Sequence, residues 1–195
     1  YIPGNPCLYV KIPKIEVSEA AQAHTEYICI PEDYKNILQR FPKGNVFYLP
    51  LLTGYHCGTR IGETYGIDLA NDVDFDMHTL HIRHQLKKEH GLWVYRKPKY
   101  DSMRSLRMDP VFEAALKEEI NTRKTTQLFY GEYYLKSYLL PDGSIQQARA
   151  NISLPYPEIM PLSVRENGEL MTAESFKYCA RVVHYELENP FFHYH

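Results

Sequence analysis

An α+β fold, mainly helical with a small antiparallel β-sheet, follows from three observations on this 195-residue sequence. Stretches at 31–41, 109–120 and 173–188 read as helices from their apolar spacing and their start signals. Residues 77–107 alternate instead like half-buried strands around a turn at Glu89-His90-Gly91. Strands and helices do not alternate in βαβ units, and no repeat of roughly 20–50 residues is visible, which argues against doubly wound and solenoid folds.

Element by element, residues 1–30 carry Pro3, Pro6 and Pro13 with little periodicity and read as a linker or extended arm. Pro31-Glu32-Asp33 opens a helix, because proline fits the first turn and acids there interact favourably with the helix dipole. Tyr34, Ile37, Leu38 and Phe41 give it one apolar face, and Pro42 and Gly44 end it. Val46 to Cys57 is apolar and helical in spite of Pro50 and Gly54, and Arg60 to Gly66 forms a second short helix. Met77 to Leu86 is a strand, Leu92 to Arg96 its partner and Arg104 to Met108 a third. Asp109-Pro110 caps and starts the next helix, with Phe112, Leu116 and Ile120 on its inner face. From 121 to 170 the texture changes to short strands and hairpins around Pro141-Asp142-Gly143 and Asn167-Gly168. A last helix runs from about Ala173 to Glu188 after Thr172.

Apolar residues at 44% and charged residues at 24% are the mixture of an ordinary globular domain, which excludes collagen-like and broadly disordered chains. No run approaches the roughly 18 apolar residues of a membrane span. Tyr1-Ile2-Pro3-Gly4 is neither an initiator methionine nor a secretion signal, so the sequence reads as a piece of a longer polypeptide. Cys7, Cys29, Cys57 and Cys179 form no C-x-x-C pair, each sits among apolar neighbours, and they are expected to be buried thiols in a reducing compartment.

The formal charge of −2 is unevenly spread. Residues 78–107 hold eight Lys or Arg against two acids, a local +6, so the other 165 residues carry −8. His78, His81, His84 and His90 fall in the same block, which has the footprint of a phosphate-binding face.

The run Leu52-Thr53-Gly54-Tyr55-His56-Cys57-Gly58-Thr59-Arg60-Ile61-Gly62-Glu63 resembles the first catalytic box of the tyrosine recombinases, the phage-type integrases. Gly66-Ile67-Asp68-Leu69 with Asp72, Asp74 and Asp76 fits the same pattern. So do the stretch Arg96 to Arg107, similar to the family's β-hairpin lysine and following strand, and the terminal Phe191-Phe192-His193-Tyr194-His195. The resemblance is closest to integrases of conjugative transposons and related mobile elements.

That resemblance implies a catalytic domain over 31–195 that cuts and rejoins double-stranded DNA through a 3′-phosphotyrosyl intermediate, as a tetramer on DNA in the bacterial cytoplasm. It implies that Arg60 binds the scissile phosphate, since a guanidinium donates two hydrogen bonds and keeps its charge. Lys99 would protonate the leaving 5′-oxygen, with Lys97 as rival. His195 would hydrogen-bond the phosphate or shuttle a proton, with His193 as rival, and Glu63 would orient Arg60 or support the fold. Lys87, Lys88, Arg96, Lys97 and Arg104 are candidates for contacts to the DNA backbone. The mechanism requires no metal or nucleotide cofactor.

Against the family, residues 121–170 read as an inserted β-hairpin region. The sequence also stops before the family's second arginine, its further His or Trp and its nucleophilic tyrosine, so this fragment alone is expected not to cleave DNA. Two other classes remain open from the residues alone. One is a metal-dependent nuclease using Asp72, Asp74 and Asp76 or His193 and His195. The other is a DNA-binding or interaction module without catalysis.

Overall fold

A computed structural model describes residues 28–194; most of the expected arm over 1–30, together with Cys7 and His195, lies outside the described residues. The helices are α1 (Pro31–Arg40), α2 (Tyr48–Cys57), α3 (Ile61–Thr64), α4 (Pro110–Tyr130) and α5 (Ala173–Tyr185). The strands are β1 (Val73–Asp74), β2 (Thr79–Ile82), β3 (Gln85–Glu89), β4 (Leu92–Arg96), β5 (Arg104–Arg107), β6 (Leu135–Leu139), β7 (Ile145–Arg149) and β8 (Glu158–Ile159). They pair as three small antiparallel sheets, β1-β2-β5, β3-β4 and β7-β6-β8. The architecture is α+β, as the sequence predicts.

Two apolar cores explain most of this arrangement. One joins Ile37 of α1 and Phe41, which caps that helix, to Leu51, Leu86, Tyr95 and the inner face of α5, which carries Phe176, Cys179 and Val183. The other joins Leu49 and Leu52 to Leu80, Ile82, Phe112, Leu116 and Leu162. Helix α2 lies between them, which is why it is apolar on every side rather than amphipathic. Its Pro50 stands in the first turn, where the missing N–H would have had no partner within the helix.

The same division splits the single strand expected over 77–86. Leu80 and Ile82 enter the second core while Leu86 enters the first, and the chain breaks at Arg83-His84 to change sheets. There Arg83 Nη1 donates to the Asn71 carbonyl at 2.9 Å and His84 stacks on Tyr95. The strand at 104–107 therefore pairs with β2 and not with the β3-β4 hairpin.

Helix α4 corrects a second expectation, since it runs through the first ten residues assigned to the hairpin region. Arg123, buried at 6% exposure, stands where a periodic pattern would hold an apolar residue. It donates to the carbonyls of Pro161 and Leu162 and to Glu119, so a cation anchors this half of the helix. Beyond it, the turn at Pro141-Asp142-Gly143 docks on β4 through Tyr95 N–H to the Gly143 carbonyl at 2.8 Å. Cys179 is buried as expected, but Cys29 and Cys57 are only half-buried, because Cys29 lies at the rim of the first core and Cys57 at the rim of the second.

The start of α4 is a double anchor. Asp109 Oδ1 accepts from the N–H groups of Val111 and Phe112 at 2.9 and 3.0 Å, and Oδ2 meets His56 Nδ1 at 2.6 Å. Asp109→Ala is expected to lower the unfolding free energy by about 1–2 kcal/mol, the range for loss of a strong N-cap. Urea denaturation measures it, and a value indistinguishable from the parent would show the cap to be idle.

Candidate active site

Helix α2 ends on Gly58, whose φ of 58° is the left-handed turn that glycine tolerates. The chain then runs extended through Arg60, the N-cap of α3. Glu63, three residues on, turns back so that its Oε2 accepts from the Arg60 N–H at 3.0 Å and its Oε1 from Arg60 Nη1 at 3.0 Å. The Glu63 side chain is only 1% exposed, while that of Arg60 is 53% exposed. A single glutamate thus closes the helix start and holds one edge of the guanidinium, leaving the rest to solvent.

Arg104 on β5 covers the same carboxylate, with Nη2 at 2.8 Å from Oε2 and Nη1 at 3.3 Å from Oε1. Burial raises the Glu63 pKa, but the hydrogen bonds from Arg104 and Arg60 outweigh it and hold the carboxyl below its ordinary range. Lys99 sits in a short 3₁₀ turn, Lys99–Asp101, in the connection from β4 to β5 and not in a hairpin. Tyr100 and Asp101 there have φ of 60° and 51°, a conformation that costs an L-residue roughly 1 kcal/mol or more. Backbone bonds from Asp101 to Pro98 and from Ser102 to Lys99 hold the turn.

Arg60, Lys99, Arg104 and Lys87 line one open cleft of about 890 Å³, floored by Gly62, Gln85 and Leu86. Four basic side chains around one depression, with one internal carboxylate, make an anion-binding surface. Lys97, the rival of Lys99, is outside this lining and lies 3.5 Å from Asp101. Lys88 projects from the other face of β3, over the Trp93 ring and 3.2 Å from Glu174. Arg96 forks onto Glu89 at 2.8 and 3.0 Å and donates to the Asp142 carbonyl at 2.6 Å, so it braces the two hairpins.

No family model matches the sequence, and a comparison with curated protein sequences finds no match. Solved structures do match. A structure of the Tn1549 transposon integrase in complex with transposon right end DNA aligns with a TM-score of 0.56 at 18% identity, over 82% of this chain and 45% of that one. A complex of the same integrase with a circular intermediate DNA gives 0.57 at the same identity and coverage. Another such complex gives 0.55 at 19% identity, over 80% and 45%. This chain has the fold of part of the Tn1549 transposon integrase. It spans slightly under half the length of the integrase chains that it matches.

Within this integrase fold, one contact near the cleft has no counterpart in the residues singled out from sequence. The Tyr194 hydroxyl donates to the Pro50 carbonyl at 2.7 Å and meets Thr64 Oγ1 at 2.6 Å, and Thr64 in turn meets Thr59 at 2.7 Å. The Tyr194 ring lies where a Cβ on Gly54 would be, 2.7 Å from its Cζ, so Gly54 is the seat for this ring. Burial keeps the Tyr194 phenol protonated. Chain segment 191–194 is thereby fastened to the two helices that flank Arg60. His193 Nδ1 meets the Phe191 carbonyl at 2.8 Å, and His193 lines a separate apolar groove with Tyr34, Tyr55 and Phe192.

The carboxylates considered as metal ligands do not converge. Asp72 is buried and accepts from the Asp68 N–H at 2.9 Å, whereas Asp74 closes its own turn through the N–H groups of Asp76 and Met77. Among the described residues, no group of three or more His, Cys, Asp and Glu is arranged to hold a metal ion. Cys57, close to the cleft, has its thiol pushed up to about 12 by burial and the Asp109 charge, so it is not a thiolate nucleophile. No helix among the described residues is long and apolar enough to cross a membrane.

Proposed function

We propose that this chain is the catalytic region of a tyrosine-type site-specific recombinase that cuts and rejoins double-stranded DNA to move a mobile element. The observation that carries this is the cleft in which Arg60 and Lys99, far apart in sequence, stand on the same basic surface within an integrase fold. The matched integrase structures are DNA complexes, which supports duplex DNA as the partner.

In this reading Arg60 donates to the non-bridging oxygens of the scissile phosphate. The complete protein's tyrosine oxygen attacks phosphorus, forming the 3′-phosphotyrosyl bond as the bond to the 5′-oxygen breaks. Lys99 supplies the proton to that leaving oxygen, and His195 hydrogen-bonds the phosphate or relays a proton. Charge accumulating on the phosphoryl oxygens is where Arg60 contributes, on the order of 2–4 kcal/mol by analogy with other oxyanion donors. The phosphotyrosyl bond conserves the energy for rejoining, so no nucleotide is consumed. The active assembly is a tetramer on DNA in the bacterial cytoplasm. Lys87 touches the DNA backbone from the cleft edge, and Lys88 and Lys97 do so from the outer hairpin and loop. The segment that follows α4, residues 131–170, is an insertion relative to shorter family members.

Fluorescence anisotropy of the chain with duplex DNA in EDTA, across about 50–200 mM salt, tests the reading. Log affinity is expected to fall linearly with log salt, by about 0.9 per phosphate contacted. Arg60→Ala and Lys99→Ala should each remove about one such contact. Residues 1–195 by themselves should bind without forming a covalent adduct. Absence of binding, or binding only after a divalent ion is added, would instead favour the metal-dependent class.

A further inference from the structure

We infer that Arg104 is a positioning residue that sets Arg60 for the phosphate, rather than a DNA contact in its own right. The inference rests on the proposed reading of the cleft and assigns Arg104 a task inside it. Arg104 is held on a paired strand, opposite Ile82 in the register of β2 and β5, so its origin is rigid. Arg60, by contrast, comes from an N-cap between two helices.

Three contacts make the link. Arg104 bonds both oxygens of buried Glu63, and its Nη1 also lies 3.4 Å from the Ser102 carbonyl, at the end of the Lys99 turn. One guanidinium thus joins the element carrying Arg60 to the loop carrying Lys99. Charge gives the second reason. Glu63 with Arg60 alone would be a closed pair of zero net charge, drawing the guanidinium back onto the carboxylate. With Arg104 present, the trio carries +1, and Glu63 needs only one terminal nitrogen of Arg60. Among the described residues, Arg60 Nε and Nη2 make no hydrogen bond, and these are the two donors a phosphate would take. The Arg104 side chain is 31% exposed against 53% for Arg60, with its fork turned inward.

A double-mutant cycle on the salt dependence of DNA binding separates positioning from contact. Arg60→Ala and Arg104→Gln should each lower the log–log slope by about 0.9, and the double variant by no more than either alone, because one contact is lost in all three. A loss of about 1.8 in the double variant would make Arg104 an independent phosphate contact and overturn the inference. An unchanged slope in Arg104→Gln would overturn it as well. If Arg60→Ala itself leaves the slope unchanged, the underlying reading of the cleft fails too. Since Arg104→Gln could perturb folding, a second measurement uses the unaltered chain. In a titration with inorganic phosphate followed by arginine Nε–Hε NMR signals, the Arg60 signal is expected to move and that of Arg104 to stay. Equal movement of both would overturn the inference.

Discussion

Glu63→Ala is expected to lower the unfolding free energy by about 3 kcal/mol, the low end of the range for removing one partner of a buried ion pair. The low end applies because both arginines keep partial access to water. For a chain of this size the melting temperature should fall by roughly 6–12 °C. The variant loses the acceptor of four donors at once: the Arg60 N–H, one Arg60 guanidinium nitrogen and two from Arg104. Glu63→Gln should recover only part of the loss, since it retains an acceptor but not the charge.

The pH dependence has a definite sign. Burial opposes ionisation of Glu63, yet the hydrogen bonds from Arg104 and Arg60 prevail and its folded pKa lies below the unfolded one. Its contribution is therefore complete above the unfolded glutamate value of about 4.3 and is lost as pH falls through the folded value. Urea denaturation at pH 7 should show the full gap between parent and Glu63→Ala, and the gap should shrink as the pH is taken below about 4. A gap that stays constant down to pH 3 would mean that the carboxylate charge is not what stabilises the site.

How much of this could be read from the sequence depends on the range of the interaction. Helix α1 was legible because Tyr34, Ile37, Leu38 and Phe41 repeat at helical spacing, and Asp109-Pro110 marked the start of α4 through local capping chemistry. The Arg60–Glu63 relation was legible for the same reason, being one turn long. What escaped is non-local or reverses a local rule. The second half of α4 is fixed by a buried arginine whose acceptors lie nearly forty residues away in sequence. The break at Arg83-His84 arises from two cores competing for one strand. Gly54 reads as a weak point in a helix, and its purpose emerges only when the Tyr194 ring is seen occupying the missing Cβ. Arg104 reads as one more cation of a basic block, because nothing in its neighbourhood reveals a carboxylate 41 residues earlier.

Gly66→Ala is expected to destabilise the chain by about 3 kcal/mol, while Gly62→Ala, four residues earlier, should change stability by no more than about 0.5 kcal/mol. Both glycines face the backbone of β3, but at different depths. A Cβ at Gly66 would stand 2.7 Å from Gln85 Cα and 2.7 Å from the His84 carbonyl oxygen. These are backbone atoms, one at the start of β3 and one in the break just before it, and no rotamer change can clear them. A Cβ at Gly62 would meet the Leu86 carbonyl oxygen at 3.5 Å, an ordinary contact. The difference bears on function through geometry, because the α3 side of this contact carries Arg60 and the β3 side carries Lys87. Relieving the Gly66→Ala clash must move α3 away from β3 and widen the cleft. DNA affinity should therefore fall in Gly66→Ala under conditions where circular dichroism still shows a folded chain, and should be retained in Gly62→Ala. If both variants keep full stability and affinity, the close approach at Gly66 does not set the spacing of the two basic groups.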